Sequence, residues 1–318
     1  MGQKRAQHLA GAELVACADT DCARAARVAS LHPGCTAFTD WRLLLRTDVE
    51  ALIVATPQDS HAEIMAAAIA AGRHVLVEKP AARHADELRA LPQLALEHDV
   101  RVRVGFNLRH HRAFRQARSL VESGALGALM LLRARYGHGG RPGYAGEWRA
   151  RPELSGGGEL LDQGVHLIDL ARWFLGDFVE IDGFAHTFFW DMPVEDNGFM
   201  LLKTAARQVA FMHASCTEWK NTFSWELYGR AGKLQVDGLG GSYGPQKLTF
   251  YRNLPQMGPP QTTTWEYPLP DDSLQVEMAE FLEDIRARRE PVPGLAEAIA
   301  ALDIVARIYE RSGHDYRA

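Results

Sequence analysis

Residues 48–80 read DVEALIVATPQDSHAEIMAAAIAAGRHVLVEKP. An apolar run over 48–57 stops at Pro57, and a second over 74–80 stops at Pro80. Between them, 60–72 carry Ala, Ile and Met at helical density, with Ser60 placed as N-cap and Gly72 past the end. Two buried strands joined by a helix are parallel partners, because a parallel pair needs a long crossover.

The alternation extends in both directions. Residues 2–10 read as a helix, and 13–18 form a short strand ending at Asp19. Helical patterns follow over 21–32 and over 84–99, where Pro92 should bend or split the helix, and 100–106 is a further strand. Apolar strands alternating with helices predict a doubly wound parallel sheet, whose ligands bind beyond the carboxyl ends of its strands. The residues there are Asp19, Thr56-Pro57, Glu78-Lys79-Pro80 and Asn107. Asp19 follows Gly2 by 17 residues, near the roughly 20-residue offset between a glycine loop and a ribose-binding acid. Its carboxylate suits a ribose diol and would repel a 2′-phosphate, which favours NAD over NADP. Taken alone, Asp19 also fits a cap on the next helix. Lys79 has little freedom between a buried strand and a proline, although the tripeptide alone also fits a surface lysine.

Composition bounds the rest. A chain of 318 residues suits two domains, and 47% apolar with 24% charged residues is ordinary for a globular protein. The net charge of −5 gives no reason to expect nucleic acid or an anionic membrane as partner. Cys17, Cys22, Cys35 and Cys216 lack the C-x-x-C spacing of a zinc site and read as reduced thiols of a cytoplasmic protein. No apolar run reaches the ~20 residues of a membrane span, and no signal peptide is visible.

A second decisive stretch is SGGGELLDQGVHLIDLARWFLG, residues 155–176. Its glycines read as a flexible entry to a helix over 159–175. At helical spacing Asp162, His166 and Asp169 fall within about 60° of one another. Most of the remaining circumference is apolar, so the helix is buried and its polar stripe faces a cleft. Gly164 costs about 1 kcal/mol in a helix, which points to close packing there. Three readings of the stripe stand: an acid–base histidine oriented by a carboxylate, a core histidine satisfied by its i−4 neighbour, and a metal site. The last is weakest, since no further residues of matching spacing supply ligands.

Segments 127–140, 179–190, 198–219, 223–238 and 247–253 read as strands of a mostly antiparallel sheet. Trp190, Phe199 and Phe211 give it an apolar face for a partner subunit, or equally an ordinary sandwich core. Residues 254–272 are proline-rich and read as a loop at a substrate mouth. Helices over 274–289 and 295–312 should pack back on the sheets.

VLVEKP combined with the 155–176 stretch resembles the glucose–fructose oxidoreductase/inositol dehydrogenase (Gfo/Idh/MocA) family, as do ATPQDSHAE (55–63) and GFNLR (105–109). The resemblance implies an α/β Rossmann domain over 1–106 and an α+β domain with a large open, mostly antiparallel sheet over 107–318. It implies hydride transfer between NAD(P) and a hydroxyl of a sugar or cyclitol, with Lys79, Asp162 and His166 as catalytic positions and no metal. Gly2, Asp19, Thr56, Pro57, His61, Glu78, Lys79 and Asn107 would then serve the cofactor. Arg109, Tyr136, Trp148 and Asp169 would serve the substrate, with His138, Arg141 and Tyr144 near them. A homo-oligomer, dimer or tetramer, would form through the C-terminal sheet. Family members begin with a strand and G-x-G-x-x-G, so Gly2 corresponds to the last glycine and about ten residues are expected upstream. The competing reading is a non-catalytic ligand-binding or regulatory member of the same fold with impaired cofactor binding.

Overall fold

The computed structural model describes residues 1–314. The chain divides into two compact units, residues 1–105 with 274–299, and residues 106–273 with those from 300 onward.

The first unit begins with α1 (Gly2–Ala6), β1 (Ala16–Ala18), α2 (Cys22–Ala29) and β2 (Thr36–Phe38). Then come β3 (Ala51–Val54), α3 (His61–Ala70), β4 (His74–Glu78), α4 (Leu91–Glu97) and β5 (Val102–Gly105). All ladders are parallel: β1 pairs β2, and β3–β4–β5 pair in sequence with Ala51 opposite His74 and Val75 opposite Val102. Among the described residues the two ladders are separate sheets. Short β2 carries no apolar run, so periodicity did not reveal it. Pro92 splits the 84–99 segment, a 3₁₀ turn at Ala85–Glu87 preceding α4, in which the proline takes a first-turn place needing no N–H. Ser60 holds the N-cap place of α3 without capping it, since its hydroxyl is engaged by the Pro57 carbonyl, to which it donates, and by the Thr56 hydroxyl. Residues 274–299 complete this unit through most of α8 (Ser273–Ala287), whose Met278 and Phe281 form a buried cluster with Leu76 of β4.

The second unit opens with α5 (Arg112–Glu122), β6 (Leu129–Gly137), α6 (Pro152–Ser155) and α7 (Val165–Leu175). Strands β7 (Phe178–His186), β8 (Asn197–Thr204), β9 (Val209–Ser215), β10 (Thr222–Gly229), β11 (Gly232–Asp237), β12 (Gln246–Arg252) and β13 (Gln261–Tyr267) follow. The chain then runs to α9 (Leu295–Ser312). Eight strands lie in the order β13-β12-β11-β10-β6-β9-β8-β7, antiparallel except for β6 with β9. The 198–219 segment is two strands, turning at Arg207, whose φ is +67°. Likewise the 254–272 segment is not one loop: the β-branched run Thr262–Thr264 with Trp265 makes it the edge strand β13.

Register sorts the two faces. Met200, Met212, Ala134, Trp225, Val236 and Leu248 stand opposite one another in turn and are all buried. The helix through 160–175 packs there, and Gly164 permits it: a Cβ would lie 3.1 Å from Leu160 Cδ1 and 3.6 Å from Met200 Cε. Phe184, Phe199 and His213 align on the other face, as do Leu201 and Phe211. Phe184, Leu201 and Phe211 are at least half exposed there. Trp190 is not part of that face; its indole donates to the Cys216 carbonyl and its ring packs at Tyr144.

Candidate active site

In the first unit the anticipated residues gather at the carboxyl ends of the parallel strands. Asp19 follows β1, and its carboxylate accepts the Asp21 N–H at 2.9 Å. The helix cap is Asp21, which accepts from the Ala23 and Arg24 N–H groups, so the capping reading of Asp19 fails. Arg24 Nε stands 3.8 Å from Asp19 and 3.0 Å from Asp21. Glu78 ends β4, Lys79 follows it, and the Lys79–Pro80 peptide is cis. Gly2 begins α1, and a Cβ there would lie 3.7 Å from Ala55 Cβ.

His61 is buried rather than open to a ligand. Its Nε2 is 2.8 Å from the Thr56 carbonyl and its Nδ1 is 3.1 Å from the Pro80 carbonyl. The imidazole bridges the two strand-end loops. Burial pushes its pKa down, against the two carbonyls and the Glu78 and Asp59 charges; both neighbours only accept, so the neutral ring donates to one carbonyl at a time. Glu78 is equally enclosed. It accepts from Arg5 Nε at 2.6 Å, while Arg5 Nη1 reaches Glu277 of α8. Gly105 lies alongside, where a Cβ would fall 2.7 Å from Arg5 Nη2. Sequence patterning had no means of finding Arg5, because its acidic partners lie 73 and 272 residues away.

In the second unit the 155–176 stretch departs from one regular helix. Residues Leu160–Gly164 form a π turn, a form frequent at functional sites, and α7 follows. The entry is a packed seat and not a flexible hinge. Gly156 has φ +76° and terminates α6. A Cβ on Gly157 would lie 2.2 Å from the Tyr309 hydroxyl, and one on Gly158 would lie 1.9 Å from the Glu195 carbonyl oxygen. The Glu195 carboxylate, wholly buried, accepts the Gly158 and Leu160 N–H groups and the Tyr309 hydroxyl, each at 2.9 Å. Burial raises its pKa to about 7.

Past this seat, Asp162 lies 3.4 Å from Arg149 Nε. His166 is buried with Tyr136 and Phe106 against its ring, both at 6.1 Å between centroids. Asp169, the third member of the stripe, binds Arg109 through both oxygens at 2.8 and 2.6 Å. That pair is almost wholly buried and fixes Arg109 to α7. Asn107 donates to Ser273 Oγ at 3.0 Å. Trp148 lies beneath the Arg149 guanidinium at 4.5 Å.

Three residues join this group that the sequence reading did not assign: Glu159, Arg149 and Tyr243. Glu159 lies inside the motif, three positions before Asp162, and its placement among apolar residues was the available signal. Tyr243 packs edge-on against Tyr136 at 5.5 Å. Burial raises the phenols of Tyr136, Tyr144 and Tyr243, and the charges of Glu159 and Asp162 add to the shift. All three stay protonated at neutral pH; the Tyr144 hydroxyl donates to Glu159, and those of Tyr136 and Tyr243 are bonded to one another. The assembly therefore offers an imidazole, a carboxylate and hydroxyls beside aromatic faces, a set suited to a polyol.

Comparison with known proteins follows these lines. Residues 1–106 match the model of an oxidoreductase family with an NAD-binding Rossmann fold, and residues 114–235 match a GFO/IDH/MocA C-terminal domain. The dTDP-3,4-didehydro-2,6-dideoxy-α-D-glucose 3-reductase of Saccharopolyspora spinosa is 33% identical over 230 residues, 72% of this chain and 68% of that one. A levoglucosan dehydrogenase of Pseudarthrobacter phenanthrenivorans is 32% identical over 169 residues, 52% of this chain but 43% of that one. A levoglucosan dehydrogenase structure in complex with NADH and levoglucosan superposes with a TM-score of 0.87 at 22% identity, covering 98% of this chain and 94% of that one. At that identity the likeness concerns the fold.

Proposed function

Because the chain belongs to the Gfo/Idh/MocA oxidoreductase family, we propose that it exchanges a hydride between NAD and a secondary hydroxyl or keto group of a sugar or cyclitol. The observation that carries this reading is Asp162 and His166 on a buried helical stretch, with Tyr136 on the imidazole. The strand ends of the first unit fit a dinucleotide. The Asp19 side chain is 37% exposed, enough to meet a ribose diol, and Gly2 brings backbone close to the end of β3.

Bound nicotinamide supplies the hydride acceptor. The chain supplies the rest. His166 takes the hydroxyl proton during oxidation, since an imidazole has a pKa suited to neutral pH. Asp162 stabilises the imidazolium electrostatically. Lys79 is assigned to the reacting oxygen, where an ammonium offsets developing alkoxide charge. Arg109–Asp169, His61 and Arg5–Glu78 hold these residues in place.

The activity test follows NADH appearance with NAD and, in turn, myo-inositol, levoglucosan and glucose, and NADH loss with the corresponding keto compounds. Turnover that disappears in His166→Ala supports the reading. A protein that binds NAD yet reduces and oxidises none of these compounds contradicts it.

We further infer a homo-oligomer. The face bearing Phe184, Leu201 and Phe211 merges into a polar half with Arg133, Glu226 and Lys233, linked by ion pairs. An apolar patch beside balanced charges is self-complementary under a two-fold axis, so its occupant is a second copy. Leu201→Glu should yield monomers in sedimentation; an unchanged mass would refute this. No helix among the described residues is long and apolar enough to cross a membrane, and the four free thiols suit a cytoplasmic setting.

A further inference from the structure

We propose that Glu159 is a positioning residue that latches the segment 138–150 onto the helical stretch carrying Asp162. The proposal rests on the reading of Asp162 as part of the reacting centre, and it concerns how that centre is assembled.

The segment leaves β6 at Gly137 and reaches α6 at Pro152. Two side chains of its first half converge on a single carboxylate. Tyr144 Oη donates to Glu159 Oε1 at 2.7 Å, and His138 Nε2 lies 3.3 Å from the same oxygen. His138 Nδ1 meanwhile accepts the Gly140 N–H at 3.0 Å, which fixes the neutral ring as the Nε2–H tautomer pointing at Glu159. The two rings pack edge to face at 5.6 Å. Glu159 is 1% exposed and Tyr144 4%, so these bonds are shielded from water and from salt. The second half of the segment delivers Arg149 to Asp162. The backbone of His138 is anchored to the end of β9, donating to the Ser215 carbonyl and accepting the Glu218 N–H, while the later backbone bonds are short-range, from Tyr144 N–H to Arg141 and from Arg151 N–H to Trp148. None of these ties Tyr144–Arg149 to the helical stretch. The Glu159 carboxylate is the side-chain tie that brings this part of the segment, with Arg149, to that stretch.

The latch is electrostatic as well as geometric. Burial disfavours a charged His138, but the Glu159 hydrogen bond and charge, with Asp162 behind, outweigh it and raise the pKa, while Arg141 works against them. The Cys216 thiol lies against the same carboxylate, and burial with the Glu159 charge keeps it protonated.

The test needs neither cofactor nor polyol, so its result is independent of the activity assay. Residues 138–151 contain no lysine, and Arg141 and Arg151 each precede a proline, which trypsin does not cleave. Arg149–Ala150 is the one susceptible bond in the segment, and Ala150 is buried. Trypsin should release fragments 1–149 and 150–318 slowly from the wild type. From Glu159→Gln, which loses the charge, release should be about tenfold faster, and from the gentler Tyr144→Phe a fewfold faster. Cleavage elsewhere and the melting temperature should stay unchanged. In the same Glu159→Gln sample the His138 imidazole, followed by NMR, should titrate at lower pH than in the wild type. Wild-type cleavage after Arg149 in both variants overturns the proposal. So does acceleration matched at sites throughout the chain, because the effect would then be general unfolding.

Discussion

Gly158→Ala should be among the most damaging single-methyl substitutions in this chain. The new Cβ would lie 1.9 Å from the Glu195 carbonyl oxygen and 2.9 Å from Glu195 N and C. All three are backbone atoms, so no side-chain rotation relieves the clash and the strand-to-helix entry must separate. Overpacking of this kind costs about 1–3 kcal/mol. Separation also loosens the Gly158 and Leu160 N–H bonds to the Glu195 carboxylate. Hydrogen bonds to a charged group are worth about 1.5–3 kcal/mol each. Glu195 can take up a proton to soften the loss, since burial has already raised its pKa to about 7. The net expectation is roughly 3–5 kcal/mol. Gly146→Ala is the control: nothing lies within 4 Å of its Cβ position, and the change should stay within about 0.5 kcal/mol. Urea unfolding followed by tryptophan fluorescence is well placed to measure both, because of the seven tryptophans only Trp41 lies in the first unit. Equal midpoints for Gly158→Ala and Gly146→Ala would refute the packed-seat account and restore a flexible glycine entry.

Three further outcomes are expected. Lys79→Ala and His166→Ala should each lower kcat by roughly 10² or more on an active polyol while the melting temperature holds; wild-type turnover in both would remove them from the site. Asp19→Ser should narrow the preference for NAD over NADP in calorimetry, because Arg24, now 3.8 Å from Asp19, would be less committed to carboxylates; an unchanged ratio would dissociate Asp19 from the ribose. Burial holds His61 neutral with a lowered pKa, so the unfolded chain binds a proton that the fold refuses. The stability this costs appears as pH falls through the unfolded value near 6.5. The drop in urea midpoint between about pH 7.5 and about pH 5.5 should therefore be smaller in His61→Gln than in the wild type, and an equal drop would show that His61 titrates alike in both states.

Legibility in the sequence followed the range of the physical signal. Local periodicity announced β3, α3 and β4, and Pro92 marked 84–99 for a bend or a split. The apolar girth around Asp162 and His166 announced a buried helix, although not its π turn, which depends on packing against β8 and β9. Edge strand β13 was lost because prolines on both sides outweighed a short β-branched run. Long-range electrostatic partners were invisible in principle. Arg109 and Asp169 are 60 residues apart and each was assigned singly to substrate; only their meeting shows that they neutralise one another. Glu195 and Tyr309 carry no motif, yet they explain two of the three glycines in a row, Gly157 and Gly158.

The buried cluster of Arg5, Glu78 and Glu277 bears on how the chain can be made. Arg5 and Glu78 leave the ribosome early, whereas Glu277, Met278 and Phe281 emerge only after the whole central sheet has been synthesised. Until then a guanidinium lacks half of its counter-charge and Leu76 lacks its cover, so the first hundred residues cannot settle as they are translated. Residues 1–105 made alone should be a poor folder needing chaperone shelter, and adding 274–299 in trans should rescue it. Nascent-chain lengths short of about 300 residues would accordingly remain sensitive to protease in that region, which makes the order of synthesis, and not only the final contacts, part of what this arrangement dictates.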